Sequence, residues 1–538
     1  MTATSNQDYT NIPESDSENA ALNPNSEPWT RLRDGGSLTV HPDGHAYTYS
    51  YGPKGLTGLF SNQYTLWCVI FASIGGLSFG YDQGVIANVL VMKDFTERWP
   101  ISPFQEGLMT AILELGALTG SLLSGFFADR CSRRLSIFIA CVVFCIGSVF
   151  QCGAWKLYHI FVGRAVGGLG VGALSMLSPL YMAEISPPEL RGSLMALEQF
   201  AIVLGVVCGF WIGFFTRSIP SSASWRIPLG VQIVPGIILC VGCLFLPASP
   251  RLLVLQGRYE EALASLAKLR RRTPIEAKRD PLIQIELLEM RPHGILDELR
   301  SWGALFTKKY RARTVVGVLM MVFQQWSGIN ALLYYGPILV KSVGLSGEKV
   351  TLLVSGGIGV VQFFAVIPAI SQIDRIGRKP LLRGGAAVMT CSHFVIAILI
   401  LLYGVDWPSH SIAAWFAVAS IYMFTASYGV SFVFPLSIRS KGVALAPPPT
   451  QHSALTTVVL IGLVTPMLIE YSAAGTFMIF STACFVAYLW ATYSVPETAN
   501  VSLEEIDAVF GTSLGKDDDL VRQQEVGLRE IIRDFADT

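Results

Sequence analysis

Charge is scarce in this chain. Of 538 residues only 14% are Asp, Glu, Lys or Arg, against about 25% in ordinary soluble domains. Basic and acidic residues balance at 39 each, so the formal net charge is zero. Nothing in that balance points to nucleic acid or to an anionic surface. Metal and catalytic signatures are missing too. The ten cysteines (Cys68, Cys131, Cys141, Cys145, Cys152, Cys208, Cys240, Cys243, Cys391 and Cys484) fall mostly inside apolar runs, with no pair of C-x-x-C clusters. They read as small packing residues in a reducing or lipid setting. No nucleophile elbow, Walker A loop or zinc-protease motif occurs, so no enzyme activity and no cofactor or metal is expected. The start lacks the basic and apolar stretches of a signal peptide. Residues 1–60 are polar and rich in Asn, Ser, Pro and Gly, which predicts a disordered cytosolic tail in which His41 and His45 are solvated.

What the chain has is long apolar runs. A spanning helix needs roughly 20 apolar residues. Such runs lie at 64–88, 107–127, 135–154, 157–181, 193–215 and 229–247, then at 314–339, 351–371, 381–403, 411–434, 453–470 and 472–495. The fold class is therefore an all-α membrane protein of twelve transmembrane helices. Residues 61–247 would form one six-helix bundle and 314–495 a second. Between them, 248–313 is a charged linker whose Glu-Glu-Ala-Leu-Ala-Ser-Leu-Ala-Lys-Leu-Arg-Arg-Arg stretch reads as an amphipathic helix. Residues 496–538 form a polar tail. Loops after spans 2, 4, 8 and 10 carry Arg130, Arg133, Arg134, Arg191, Arg375, Arg378, Lys379, Arg383, Arg439 and Lys441, and the opposite loops carry fewer cations. The positive-inside rule puts both tails and the linker in the cytosol, so the Asn500 sequon should go unused.

The two halves repeat each other. Asp129-Arg130-Cys131-Ser132-Arg133-Arg134 follows span 2, and Asp374-Arg375-Ile376-Gly377-Arg378-Lys379 follows span 8. Pro188-Glu189-Leu190-Arg191-Gly192 after span 4 has its counterpart in Ser437-Ile438-Arg439-Ser440-Lys441-Gly442 after span 10. Duplicated bundles are the architecture of alternating-access carriers. The stretch Gly168-x-Gly170-x-Gly172 has the wrong spacing for a dinucleotide loop and lies within a span, where small residues permit close helix packing.

Several motifs occur together: Gly80-Tyr81-Asp82 in span 1, Asp-Arg-x-x-Arg-Arg after span 2, Gly163-Arg164 in span 4, and Pro187 to Gly192. They continue with Pro247-x-Ser-Pro-Arg251, Gln324-Gln325-x-x-Gly-Ile-Asn330, Asp374 to Pro380, and Pro496-Glu497-Thr498. With this set the chain resembles the sugar porters of the major facilitator superfamily, fungal branch, from about residue 64 to 507. Asp82 lies deep in an apolar span, where an ionisable group is costly and a functional candidate by default. Paired with Arg164, it can alternate between an ion pair and a protonated state. The resemblance also implies a proton site here. Amides offer both donors and acceptors to sugar hydroxyls. Gln199, Gln324, Gln325 and Asn330 match the family's sugar-binding amides, and Gln362 stands where the family usually has Asn. By the same resemblance, Tyr334 and Tyr335 belong to an outer gate. Asp129, Arg133, Arg134, Glu184 and Arg191 in one half, with Asp374, Arg378, Arg439 and Glu497 in the other, are expected to pair between helix ends and latch the outward-facing state. Neutralising Asp374 should then shift the resting population inward.

The chain also departs from the family. Cys131 replaces a Gly, Ala248 replaces a Glu, and Ala499-Asn500 replace Lys-Gly. Span 10 lacks the family's Gly-Pro-x-x-Trp and its carboxylate. Pro447-Pro448-Pro449 then stand at the start of span 11, where three consecutive prolines are expected to forbid a regular helix. The expected function is transport of a sugar or sugar-like polar metabolite by alternating access, coupled to protons. The alternatives are a permease or exporter of another small metabolite and a non-transporting sugar sensor, against which the short C-terminal tail argues. The expected partners are a sugar or polyol, the proton and the lipid bilayer, with the carrier a monomer in the plasma membrane.

Overall fold

A computed structural model describes residues 29–33, 36–40, 47–52, 62–187, 190–290, 311–344, 348–404, 406–432 and 447–495. Three short strands come first: β1 (Trp29–Arg33), β2 (Gly36–Val40) and β3 (Tyr47–Ser50). They form an antiparallel sheet in the order β1-β2-β3, with Trp29 opposite Val40 and Val40 opposite Tyr47. This corrects the expectation of disorder throughout 1–60. The segment alternates β-favouring Leu, Thr, Val and Tyr around Asp34-Gly35-Gly36, a pattern suited to strands and a tight turn.

The first bundle holds α1 (Gln63–Val89), a short α2 (Lys93–Arg98), α3 (Pro103–Arg130), α4 (Arg133–Cys152), α5 (Leu157–Ile185), α6 (Arg191–Thr216), and the half-helices α7 (Ala223–Val231) and α8 (Ile233–Gly242). The linker folds into α9 (Pro250–Leu255), α10 (Tyr259–Leu269), α11 (Pro274–Arg279) and α12 (Pro281–Glu289). The second bundle holds α13 (Arg311–Trp326), α14 (Ile329–Ser342), α15 (Glu348–Ile376), α16 (Arg378–Tyr403), α17 (Ser411–Ser431), α18 (Pro447–Tyr471) and α19 (Ala473–Tyr493). Among the described residues, 11 helical stretches are long and apolar enough to cross a membrane, with Leu455–Tyr471 as a shorter one. Together they match the twelve expected spans.

Three spans differ from their expected form. The sixth starts at Ala223 rather than near 229 and is interrupted at Gln232. Arg226 makes the early start tolerable: its guanidinium donates to the Cys152 and Ala154 carbonyls at 2.5 and 2.6 Å. The seventh is two helices rather than one, parted at Ser327-Gly328, where Gly328 takes φ +89°. The eleventh begins at Pro447 in spite of the proline triplet. The first-turn amides of a helix have no intrahelical acceptor, so proline forfeits nothing there.

Close packing follows the glycines. A Cβ at Gly168 would run into the Leu113 carbonyl and one at Gly172 into the Ala117 carbonyl, both on α3, while Gly170 faces Phe144 on α4. The three glycines thus let α5 lie between two helices at backbone contact. The bundles meet along α1 with α14, α3 with α18, and α6 with α15. Many apolar side chains remain outward-facing, among them Leu122, Ile146, Leu401 and Phe416, as a lipid-facing surface requires.

Candidate functional site

Asp82 on α1 and Arg164 on α5 are fully buried, and their carboxylate Oδ2 and guanidinium Nη2 lie 3.3 Å apart. Arg164 is held from behind by its Nε, which donates to the Met109 carbonyl on α3 at 2.6 Å. Both Asp82 oxygens and both Arg164 Nη atoms are otherwise without a hydrogen-bond partner. The contact is therefore one of charge rather than an aligned hydrogen bond. Sequence reasoning proposed this pair, and the fold brings it together.

It missed a neighbour. Glu114, in the middle of α3, is buried, and the phenol of Tyr334 on α14 donates to its Oε1. An acidic residue inside the run 107–127 is the same signal that singled out Asp82. Tyr335 makes the adjacent link: its hydroxyl lies 2.5 Å from Thr110 Oγ1 on α3 and donates to the Gly462 carbonyl on α18 at 2.7 Å. Gly107 packs against the Leu463 carbonyl, where an added Cβ would sit at 2.6 Å. These contacts join the two bundles in the halves of α3, α18 and the seventh span that lie away from the Arg-rich loops.

Three of the five amides, Gln324, Gln325 and Asn330, lie at the α13/α14 break. Asn330 Nδ2 donates to Gln325 Oε1, and both side chains are buried. Gln324 is half-buried, and its Nε2 donates to the Phe432 carbonyl at 3.3 Å. Phe432 stacks on Tyr428 with ring centroids 6.1 Å apart, nearly parallel. A pair of aromatic faces on α17 thus stands beside Gln324 in the span that lacks the family's tryptophan. Gln362 on α15 is buried with its Oε1 unpartnered, and Gln199 on α6 is half-buried. Phe200 and Phe363, the next residues along, meet at 4.8 Å. His393, also missed, is fully buried on α16, its Nε2 2.9 Å from the Ser327 carbonyl at the break.

Of the helix-end charges, Arg133 and Glu184 pair at 3.0 Å, with further Nε contacts at 3.2 and 3.3 Å. Both lie in the first bundle, so this pair ties α4 to α5 and is not a latch between halves. Arg134 donates to the Leu246 carbonyl at 2.8 Å. The side chains of Asp129, Arg191, Asp374 and Arg378 lie outside the described residues, as do Arg439, Glu497 and both tails beyond the sheet. Among the described residues no group of three or more His, Cys, Asp or Glu is placed to hold a metal ion.

A family profile described as "Sugar (and other) transporter" matches residues 68–510. The low-affinity glucose transporter HXT1 of Saccharomyces cerevisiae is 33% identical over 480 residues, 82% of this chain and 81% of that one. The glucose transporter GlcP of Staphylococcus epidermidis is 32% identical, covering 83% of this chain and 97% of its own. Among solved structures, the xylose transporter XylE from E. coli in a partially occluded inward open conformation aligns with TM-score 0.68 at 24% identity, over 82% of this chain and all of that one. The proton:xylose symporter XylE bound to 6-bromo-6-deoxy-D-glucose aligns with TM-score 0.68 at 24% identity, over 84% of this chain and 100% of that one. With its two six-helix bundles, its central amides and a profile match over most of its length, the chain belongs to the family of sugar and other transporters.

Proposed function

We propose that the chain is a proton-coupled carrier of a monosaccharide or polyol working by alternating access in the plasma membrane, with both termini cytosolic. The observation that carries this reading is the buried, unaligned Asp82–Arg164 pair within the bundle that faces the amide-rich break of the seventh span. A charge pair so desolvated responds strongly to a single proton. Gln325 and Asn330, with Gln324, Gln362 and Gln199, supply neutral donors and acceptors for hydroxyls, and Tyr428 and Phe432 supply flat faces for a sugar ring. The glucose transport ascribed to HXT1 and GlcP, and the proton symport ascribed to XylE, support the substrate class and the coupling ion. Closure at the ends remote from the Arg-rich loops corresponds to an inward-facing carrier.

The test is uptake of labelled sugars and polyols by hexose-transport-deficient yeast at about pH 5 and about pH 7.5, comparing the protein with Asp82→Asn. Acid-stimulated uptake that the variant loses supports the reading. A protein present at the surface that takes up none of the panel overturns it. That outcome would favour the second reading, export of another metabolite, whose support is the departure of span 10 from the family pattern before Arg439.

A further inference from the structure

Glu114 plays no part in the reading above, yet the structure commits four elements to its surroundings. Its own helix, α3, provides the Met109 carbonyl that holds Arg164 one turn away. Asp82 on α1 and Arg164 on α5, themselves paired at 3.3 Å, are the charged groups that act on it, and Tyr334 on α14 donates to Oε1. Its other oxygen, Oε2, is buried with no hydrogen-bond partner. The cluster therefore holds two carboxyls and one guanidinium. With both carboxyls ionised it carries one net negative charge away from water; a single proton makes it neutral. Burying an uncompensated charge is costly, so the cluster as built has room for one proton and reason to take it.

The geometry points to Glu114 as a second proton-holding carboxyl that shares the transported proton with Asp82 around Arg164, and to its bond with Tyr334 as the link through which the second bundle senses that proton. This rests on the proton-coupled reading. A proton arriving at Glu114 binds Oε2, which has no partner, and leaves Oε1 as a neutral acceptor for the Tyr334 hydroxyl. Hydrogen bonds to an ionised acceptor are roughly twice as strong as neutral ones. Protonation therefore loosens the link between α3 and α14 on the closed side, raising the share of outward-open carrier as pH falls. Tyr335 holds neutral partners only, Thr110 and the Gly462 carbonyl, and does not respond.

The test uses the full-length protein in proteoliposomes, with D-glucose and D-xylose as probes. Uptake is followed across pH, and accumulation under an imposed pH gradient. Glu114→Gln fixes the neutral, weaker acceptor. The wild-type fall in uptake from about pH 5 to about pH 8, of roughly tenfold, should shrink to less than about twofold, and sugar should no longer accumulate against its gradient. Glu114→Asp restores a carboxyl and should restore the pH dependence. Tyr334→Phe, which keeps the carboxyl and removes the link, should flatten the profile as Glu114→Gln does, and serves in its place if that variant fails to fold. A Glu114→Gln or Tyr334→Phe protein with the wild-type profile and accumulation, while Asp82→Asn loses both, overturns this inference alone. A wild type indifferent to pH and to the gradient overturns the proton-coupled reading and this inference together.

Discussion

Asn330 and Gln325 show how much a single residue can be asked to do. Each lies at one end of the break in the seventh span, and each satisfies the other where a substrate would otherwise be needed. Asn330→Ala leaves the Gln325 carbonyl without its donor and removes an amide from the site. Loss of one buried hydrogen-bonding partner costs about 1–3 kcal/mol, so sugar affinity should fall by roughly tenfold to a hundredfold, read by equilibrium binding or by the KM of uptake. The amides were legible because the Gln-Gln-x-x-Gly-Ile-Asn spacing is specific, and Asp82 because charge in an apolar run is conspicuous. Glu114 carried that same signal and was passed over because no motif framed it. His393 gave no such signal. One histidine in an apolar run looks like any other polar interruption, and only the fold sets it against the Ser327 carbonyl among Phe424, Phe477 and Phe480.

At the scale of an element, hydropathy marks where a span lies but not where it breaks. Runs of apolar residues located most of the spans within a few residues, yet 314–339 looked continuous. The break depends on a left-handed residue, and Gly328 supplies it. Alanine there would adopt the same backbone at a cost of about 1–2 kcal/mol, and its Cβ would meet the Phe480 ring at 2.8 Å. Gly328→Ala should therefore lower the melting temperature in detergent and reduce transport, while Gly257→Ala, whose Cβ would meet nothing within 4 Å, should carry only the backbone cost and leave transport intact. The start of α18 misled for the opposite reason. A proline triplet is a breaker in mid-helix and harmless in a first turn, and sequence alone did not place the turn. The interrupted sixth span belongs with these, since its early start depends on Arg226 finding carbonyls of the third span's end.

Over the whole molecule, the duplicated loop motifs showed that two bundles exist, but not how the linker attaches. The structure answers with buried charge. Arg270 pairs with Glu286 at 2.5 Å, donates to the Ile185 carbonyl at the end of α5 at 3.1 Å, and lies over the Tyr51 ring at 5.0 Å. Tyr51 donates to Glu286 at 2.7 Å, and its burial, with that carboxylate beside it, pushes the phenol well above its usual range. Asn62 and Thr65 both donate to the Leu269 carbonyl at 2.9 Å. Removing one partner of a buried pair costs about 3–5 kcal/mol, while replacing both by apolar residues is often neutral. Arg270→Ala should thus destabilise strongly and Arg270→Met with Glu286→Leu should recover most of the loss, both read by thermal melting of the purified protein.

This fastening decides what the linker can be. Bound to the end of α5 through Arg270, the helices α9 to α12 travel with the first bundle as part of its body. The covalent path to the second bundle then runs through residues 291–310. Anything that takes hold of the helical block therefore grips the first half of the carrier, so the block is a handle on that half.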